Sequence, residues 1–398
     1  MCQAAFGTRS FDNMKKTTTV IRTGRNNFAA IDRWIAKNGI GRLLLVCDGA
    51  IAFQKTLLEK FLSLEEAGVS VVRFSDFEPN PLYLSAVKGV DVFRKEKCDA
   101  VLAVGGGSAI DVAKCIRLFS VFRDDGRDGG WLGREYSESG IPFLVIPTTA
   151  GTGSEATRYA VVYHEGMKQS VASCFCIPDT VILEPGMLKT LPLYQRRSTM
   201  ADALCHAVES YWSVNSTDES KRFAREAISG ILGNMDGYLS NTPKGNRGML
   251  KAANYAGRAI NITQTTAGHA MCYKLTSTFG AAHGHAALLC DRVLFKAMAV
   301  GIRAREGGYS ECIDPRGIKY LCETLDELGV LLGGTDAVSG AALLEGIFEE
   351  LELPVPEATE EQIEAISGEV NPVRLRNHPV RLTRDAIKEL YRRILRVV

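Results

Sequence analysis

The chain has 398 residues, more than one hydrophobic core usually organises, so we expect two domains. Its 47 Lys and Arg residues nearly balance its 46 Asp and Glu residues, and no basic stripe or long apolar run interrupts the mixture. This pattern argues against a nucleic-acid partner and against a membrane span. The 11 cysteines form no CxxC pair, and residues 1–16 contain no apolar signal core. We therefore expect a reduced, cytoplasmic protein.

Short apolar runs alternate with amphipathic stretches in the first half of the chain. RLLLVCD, SVVRF and VLAV have the length of buried strands, and each precedes a stretch with helical spacing, such as FQKTLLEKFLSLEEAG. This alternation predicts an α/β domain with a doubly wound parallel sheet, which we assign to residues 1–187. From about residue 188 the strand-like runs give way to amphipathic helical stretches. Residues 188–398 are therefore predicted to form an all-α domain.

A glycine-rich turn follows the run VLAV. Gly105, Gly106, Gly107 and Ser108 connect this run to a helix expected to begin near Ala109. Bare backbone N–H groups and a helix N-terminus favour an anion, so we interpret the turn as a pyrophosphate cradle. The alternative is a tight turn without a ligand, because the spacing matches neither GxGxxG nor a Walker loop.

A second polar loop follows the next predicted strand. In IPFLVIPTTAGTGSEAT, Thr148 and Thr149 come directly after an apolar run, where doubly wound sheets bind ligands. We expect this loop to face the same crevice as the glycine turn. A plain surface loop is the alternative, but it does not explain the position directly after a buried strand.

Four residues of the second half suit a metal site. Asp202 and His206 stand four residues apart in ADALCHAVES and would project from one face of a helix. His269 and His283 follow, and glycines on both sides of His283 suit a bend that returns its imidazole. One carboxylate and three imidazoles suit Fe(II) or Zn(II) with a position left open. Ordinary packed residues are the alternative, but imidazoles among small and apolar neighbours need partners to offset their burial.

These motifs together resemble the iron-dependent (group III) alcohol dehydrogenases, and the resemblance runs through nearly the whole chain. GGGSAIDVAK, PTTAGTGSEAT, ADALCHAVE and HGHAALL carry it, in the order found in that family. It implies an N-terminal dinucleotide-binding domain, a C-terminal helical metal-binding domain, and a cleft between them that holds Fe(II) beside the nicotinamide. Zn(II) is the alternative metal. The expected assembly is a homo-oligomer, most simply a dimer.

The resemblance also assigns roles to individual residues. The metal ligands are Asp202, His206, His269 and His283. The cofactor contacts are Asp48, Asn80, Gly106, Gly107, Ser108, Thr148, Thr149 and Lys168. The carboxylate of Asp48, at the end of the first strand, would accept from ribose hydroxyls and repel a 2′-phosphate. We therefore expect NADH to be preferred over NADPH.

Two residues near the ligands differ from the usual family pattern. Tyr273 stands where many members have a second His that helps to relay the proton, and a phenol close to a metal can also donate one. His285 follows the last ligand by two residues and is a candidate for proton relay or for binding a substrate anion. Simple packing is its alternative role. Tyr273 and His285 are thus the two catalytic candidates.

The stretches GHAMCYKLTS and VNPVRLRNHPV look most like those of the phosphonoacetaldehyde reductases, which reduce phosphonoacetaldehyde to 2-hydroxyethylphosphonate. This resemblance implies a small anionic aldehyde as the substrate. Lys274, Arg374 and Arg376 are then candidates for binding the phosphonate, because guanidinium groups offer paired donors to its oxygens. Solvated surface charge is the alternative for both arginines. Binding would require the connector around Arg374 to fold back against the metal cleft.

Other functions fit the same motifs. A dehydrogenase of short alcohols, lactaldehyde or butanol imposes no demand for cations. A dehydroquinate-synthase-like cyclase, a lyase, shares the two-domain plan but regenerates its NAD within each turnover. A binding protein without chemistry is disfavoured because all four ligand candidates are present.

Overall fold

The computed structural model describes residues 20–23, 27–123, 128–304 and 311–398. The N-terminal stretch in which we expected no signal sequence lies outside these residues. The strands are β1 Val20–Thr23, β2 Arg42–Cys47, β3 Ser70–Phe74, β4 Ala100–Gly105, β5 Phe143–Pro147, β6 Tyr159–His164, β7 Met167–Ala172, β8 Thr180–Leu183, β9 Glu357–Ala358 and β10 Arg396–Val397. The helices are α1 Ala29–Asn38, α2 Lys55–Glu66, α3 Tyr83–Lys95, α4 Gly107–Phe119, α5 Leu193–Trp212, α6 Asp218–Leu232, α7 Met235–Leu239, α8 Pro243–Thr263, α9 Ala267–Phe279, α10 His283–Ala304, α11 Gly317–Leu331, α12 Ala337–Glu350, α13 Glu360–Ser367, α14 Pro372–Leu375 and α15 Arg384–Ile394.

The first half of the chain forms a six-stranded sheet in the order β1-β8-β5-β4-β2-β3. Every neighbouring pair in it is parallel. The strands β4 and β5 are buried along their whole length, as expected for apolar runs covered by helices on both faces. The structure therefore confirms the predicted doubly wound sheet. The edge strand β1 is an addition, because four residues carry too little periodicity to be recognised.

Between β5 and β8 the chain leaves the sheet to form an antiparallel hairpin of β6 and β7. The Tyr163 N–H donates to Pro81 O, which attaches the hairpin to the turn after β3. No pattern in the sequence distinguished this hairpin from the strands of the sheet. Cys174–Cys176 form a 3-10 turn, so the two cysteines do not share a strand face. The hairpin brings β7 towards the second half of the chain.

The second half is a helical bundle around α5, which packs against α6, α8 and α10. Every residue of α5 from Met200 to Trp212 is buried, so its polar side chains must find partners inside the protein. The short parallel pair β9 and β10 joins the chain end to the connector before α13. In the described ranges, none of the helices combines the length and apolar character that a membrane crossing requires.

The threonine-rich loop after β5 contacts the helical bundle through its backbone. Gly153 has a φ of 58°, and a Cβ added there would lie 2.5 Å from Gly257 Cα in α8. A Cβ on Gly151 would lie 2.7 Å from Thr199 O in α5. Only residues without side chains allow this approach. The loop is therefore held next to the helix that carries Asp202 and His206.

Candidate active site

Three helices bring the four predicted metal ligands to one point. In α5, His206 Nε2 lies 3.8 Å from Asp202 Oδ1, as the spacing of one helical turn predicts. His269, in the first turn of α9, places Nε2 3.4 Å from the same oxygen. His283, the first residue of α10, places Nε2 3.9 Å from it. The four side chains thus surround one centre, with a carboxylate oxygen shared by all three imidazoles.

Glycines shape this convergence in two ways. Gly280 ends α9 with a φ of 72°, which allows the chain to turn before His283, as predicted. Gly284 lies inside α10, so its predicted place in the bend is wrong. A Cβ on Gly284 would overlap Ser198 O and Asp202 Cβ. Its role is to let α10 lie directly on α5.

The cluster is closed on one side and open on the other. Asp202, His206 and His269 are 3%, 5% and 1% exposed, whereas the His283 side chain is 38% exposed. Burial lowers the pKa of His206 to about 4, and the charge of Asp202 only partly offsets this. His206 is therefore neutral near pH 7 and presents a lone pair. The exposed side of His283 marks the direction from which a substrate can approach.

Glu209 completes the cluster, although the sequence analysis did not single it out. Its fully buried carboxylate accepts from His269 Nδ1 at 2.5 Å, from His269 N at 2.9 Å and from Thr266 N. It thereby caps the N-terminus of α9, where a negative charge is favourable. Burial alone would raise the pKa of Glu209, but the charge and hydrogen bond of His269 outweigh it and lower the pKa to about 2. Its position three residues after His206, on the same helix face, was the available signal.

The donor set fits a divalent metal ion. With Nδ1–H donated to Glu209, the Nε2 of His269 is left as a ligand atom. Burial opposes protonation of His269, but the charges of Glu209 and Asp202 and its hydrogen bonds to them raise its pKa well above the ordinary value. His269 therefore tends to keep a proton between the two buried carboxylates of Asp202 and Glu209. A bound metal cation would balance their negative charge in place of that proton. One oxygen and three nitrogens suit Fe(II) or Zn(II).

Replacing Glu209 by Gln should weaken metal binding by about 10–100-fold, because the neutral amide removes the negative charge behind His269 that raises the basicity of its imidazole. The dissociation constant can be measured by competition with a chelator. Glu226→Gln, an exposed change on α6, is the matched control. Equal metal affinity in both variants would contradict the role of Glu209.

The polar loops at the carboxyl ends of the strands meet as predicted. A Cβ on Gly105 would lie 3.0 Å from Asp48 Oδ2, so the Asp48 side chain lies beside the glycine turn. A Cβ on Gly106 would lie 3.3 Å from Thr149 Cγ2. Gly106 immediately precedes α4, and Gly107 and Ser108 form the first turn of that helix. Thr148 is buried, and its N–H donates to Gly105 O. The two loops thus form one crevice next to the metal cluster.

Lys114 and Asp111, in the motif after the glycine turn, hold this crevice together. The buried Lys114 Nζ donates to the carbonyl oxygens of Ser154, Thr157 and Tyr159 at 2.7, 2.9 and 2.6 Å. Asp111 accepts from Ser154 Oγ at 2.6 Å and from a backbone N–H of β6. In the sequence, only the glycines and the serine of this motif were assigned a role. A Lys and an Asp on the buried face of an apolar helix were the missed signal.

Two other cofactor candidates lie apart from the glycine turn. Asn80 is exposed in the turn after β3 and has a φ of 58°. Lys168, in β7, places Nζ 3.6 Å from the ring centroid of Tyr273. That ring stacks on the imidazole of His283 with a centroid separation of 5.4 Å. Lys168 and Tyr273 are therefore beside the metal cluster.

The connector around α14 folds back against this part of the cluster. Arg374 Nη1 donates to Thr265 Oγ1 at 2.8 Å, and Arg374 Cζ lies 5.4 Å from the ring centroid of Tyr273. Lys274 instead forms an ion pair with Glu369. The Arg376 side chain is exposed. Of the three substrate candidates, only Arg374 is brought to the cluster by the structure.

His285 is held by structural contacts. Its Nδ1 lies 3.0 Å from Tyr194 Oη, and its Nε2 lies 2.8 Å from Pro354 O. Since a carbonyl can only accept, Nε2 carries the proton and Nδ1 accepts from the tyrosine. Neither nitrogen is left for a proton relay. His285 is therefore not used in the chemistry proposed below.

The parallel sheet with its glycine turn, the helical bundle and the cluster of one carboxylate and three imidazoles are the features expected of a metal-dependent dehydrogenase. The family profile "Iron-containing alcohol dehydrogenase" matches residues 18–185. The profile "Fe-containing alcohol dehydrogenase family, C-terminal" matches residues 197–395. The chain belongs to the iron-containing alcohol dehydrogenase family and is an oxidoreductase.

Individual relatives agree with this assignment. The chain is 30% identical to a phosphonoacetaldehyde reductase of Streptomyces viridochromogenes over 311 residues, 75% of this chain and 76% of the relative. It is 30% identical to long-chain-alcohol dehydrogenase 1 of Geobacillus thermodenitrificans over 332 residues, 80% of this chain and 83% of the relative. A crystal structure of sulfoacetaldehyde reductase from Bifidobacterium kashiwanohense in complex with NAD+ matches with a TM-score of 0.82 and 24% identity. That match covers 94% of this chain and 96% of the other, and it shows a shared fold.

Proposed function

We propose that the enzyme reduces phosphonoacetaldehyde to 2-hydroxyethylphosphonate with NADH. The observation that carries the proposal is the position of Arg374, a guanidinium group that the connector brings to the open side of the metal cluster. A neutral aldehyde makes no use of such a group, whereas a phosphonate pairs with it. The similarity to the phosphonoacetaldehyde reductase of Streptomyces viridochromogenes supports the same substrate.

Asp202, His206, His269 and His283 would hold Fe(II), with Zn(II) as the alternative. A metal ion held there would supply Lewis acidity for the aldehyde oxygen, and bound NADH would supply the hydride. The chain itself orients the aldehyde, because His283 is the exposed member of the four ligand candidates. Glu209 fixes the ring of His269 behind the cluster.

The reduction needs one hydride and one proton, and Tyr273 is the proposed source of the proton. Burial raises the pKa of the Tyr273 phenol, while the charge of Arg374 opposes this. The phenol therefore stays protonated near neutral pH and can donate to the alcohol oxygen as it forms. Its ring stacks on His283, at the open side of the cluster.

A spectrophotometric assay of NADH oxidation with phosphonoacetaldehyde, lactaldehyde and butanal tests the proposal. We expect the highest kcat/KM for the phosphonate. Better turnover of butanal or lactaldehyde would identify an ordinary short-chain alcohol dehydrogenase instead. A cyclase would consume no NADH net, so steady NADH consumption with an aldehyde separates the two classes.

The proposed cofactor is NADH because Asp48 lies beside the glycine turn, where its carboxylate would meet the adenosine ribose. Asp48→Gly should narrow the preference for NADH over NADPH, since it removes the charge that repels a 2′-phosphate. The ratio of the two kcat/KM values measures this preference. Equal use of both cofactors by the wild-type enzyme would contradict the role of Asp48.

We also propose that the enzyme is cytoplasmic. All cysteines in the described ranges are free, as a reducing compartment such as the cytoplasm would keep them. The proposed assembly is a homodimer, which sedimentation of the purified enzyme would test.

A further inference from the structure

One side of α5 carries four polar side chains at intervals of four residues. They are Tyr194, Ser198, Asp202 and His206, and this spacing places each about one helical turn after the last. Asp202 and His206 belong to the metal cluster. Tyr194 and Ser198, nearer the start of the helix, instead contact the beginning of α10, whose first residue is His283. One side of α5 therefore supplies two ligand candidates and a support for the helix that carries another.

Both hydroxyls of this support accept from backbone N–H groups at the start of α10. Ala282 N donates to Tyr194 Oη at 3.1 Å, and His285 N donates to Ser198 Oγ at 3.1 Å. The first N–H groups of a helix have no carbonyl partner within it, so the two hydroxyls satisfy groups that would otherwise need water. Ala282 and His285 stand on either side of His283 in the chain. The two hydrogen bonds thus fix the backbone from which the imidazole of His283 projects.

The side chain of His285 determines how the Tyr194 hydroxyl is oriented. His285 Nε2 lies 2.8 Å from Pro354 O and must donate to it, so Nδ1 accepts. The Tyr194 hydroxyl therefore donates to Nδ1, 3.0 Å away, and its oxygen is left to accept from the Ala282 N–H. Three hydrogen bonds thus form one directed chain that starts at Ala282 and ends at Pro354. His285 is 2% exposed, so a partner lost from this chain is not simply replaced by bulk water.

His283 is the ligand candidate that most needs such support. Its side chain is 38% exposed, whereas the other three ligand candidates are nearly fully buried. Its ring stacks on Tyr273, and its Nδ1 lies 3.7 Å from Cys272 Sγ, which is only a weak acceptor. The ring therefore has few strong contacts of its own. Its position near Asp202 depends on a fixed backbone at the start of α10.

We propose that Tyr194 and His285 are positioning residues that hold the metal ligand His283 in place. Tyr194 fixes the turn that ends at His283, and His285 keeps the Tyr194 hydroxyl in the orientation that this contact requires. This role differs from a proton relay or an anion contact, because it acts through the backbone and not through the substrate. It depends on the metal centre of the proposed function but not on the identity of the aldehyde.

Tyr194→Phe and His285→Leu test the proposal, since each interrupts the chain of hydrogen bonds and keeps an apolar side chain in place. Competition with a chelator gives the dissociation constant for Co(II), and the visible absorption of bound Co(II) reports its ligands. We expect about tenfold weaker binding and a changed Co(II) spectrum in each variant, at the lower end of the effect of outer partners on a metal site. Because both residues act in one chain, the double variant should lose little more than either single variant.

Tyr136→Phe is the matched control, because its hydroxyl also donates to a backbone carbonyl, Trp131 O at 3.0 Å, but in the α/β half. It should bind Co(II) like the wild type. Unchanged Co(II) affinity and spectrum in Tyr194→Phe and His285→Leu would overturn the positioning role even if their Tm falls, since the hydrogen bonds would then serve stability alone. Losses that multiply in the double variant, or an equal loss in Tyr136→Phe, would also overturn it.

The same variants separate this role from the proposed substrate. If they bind Co(II) more weakly as expected but the wild-type enzyme prefers a neutral aldehyde, the positioning role stands and the proposed substrate fails. If the wild type prefers phosphonoacetaldehyde but the variants bind Co(II) as tightly as it does, the positioning role fails and the proposed substrate stands.

Discussion

Replacing His269 by Ala is expected to remove the metal and the turnover of the enzyme together. The imidazole is 1% exposed and lies between Asp202 and Glu209, so the variant leaves two buried carboxylates facing a gap. Three remaining ligands hold an ion weakly, and the loss of affinity should exceed the roughly 100-fold that a change in an outer partner can cause. Metal content per chain and the rate of NADH oxidation are the two measurements.

A matched control is His164→Ala, which removes a histidine of the hairpin outside the cluster. This variant should keep its metal and most of its activity. Stoichiometric metal in His269→Ala would show that the cluster is not the binding site. Loss of metal from both variants would indicate a general effect of the substitution.

Replacing Lys114 by Met should destabilise the α/β half by about 3–5 kcal/mol, the range typical for breaking a buried charged network. Lys114 is completely buried and donates to three carbonyl oxygens, two in the segment between β5 and β6 and one at the first residue of β6. The variant leaves these oxygens without their donor and removes the cation that lies 3.9 Å from Asp111. A fall of roughly 10 °C in Tm is expected. The KM for NADH should also rise, because the same segment borders the cofactor crevice.

Lys55→Met removes an exposed lysine at the start of α2 and serves as the control. Its Tm should match that of the wild type. If Lys114→Met had the same Tm as this control, Lys114 would not organise the loop as the hydrogen bonds indicate.

The sequence predicted those features best for which the spacing of the residues and their chemical type indicate the same structure. Short apolar runs such as VLAV are typical of buried parallel strands, so the sheet could be predicted. Asp202 and His206 share a helix face whatever the rest of the fold does, so half of the cluster followed from spacing. His269 and His283 were inferred from their small and apolar neighbours and from the glycines that suit a bend, and the family resemblance assigned them the same role.

Tertiary contacts decided the features that the sequence did not reveal. Arg374 and Arg376 are two residues apart in one connector, yet only Arg374 faces Tyr273, and no periodic pattern marks this difference. The pairing of Lys274 with Glu369 depends on how α9 meets the connector. In the sequence, Glu209 resembles any other acidic residue of a helix. Its role depends on the N-terminus of α9, where the His269 N–H donates to its carboxylate.

In the proposed function, this cluster holds a metal ion that is required for NADH-dependent reduction of an anionic aldehyde. The most direct test is the rate of NADH oxidation with phosphonoacetaldehyde before chelation, after chelation and after addition of Fe(II). We predict one NADH oxidised for each aldehyde reduced, loss of this activity in the metal-free enzyme and its return with Fe(II). An undiminished rate in enzyme shown to contain no metal would contradict the account.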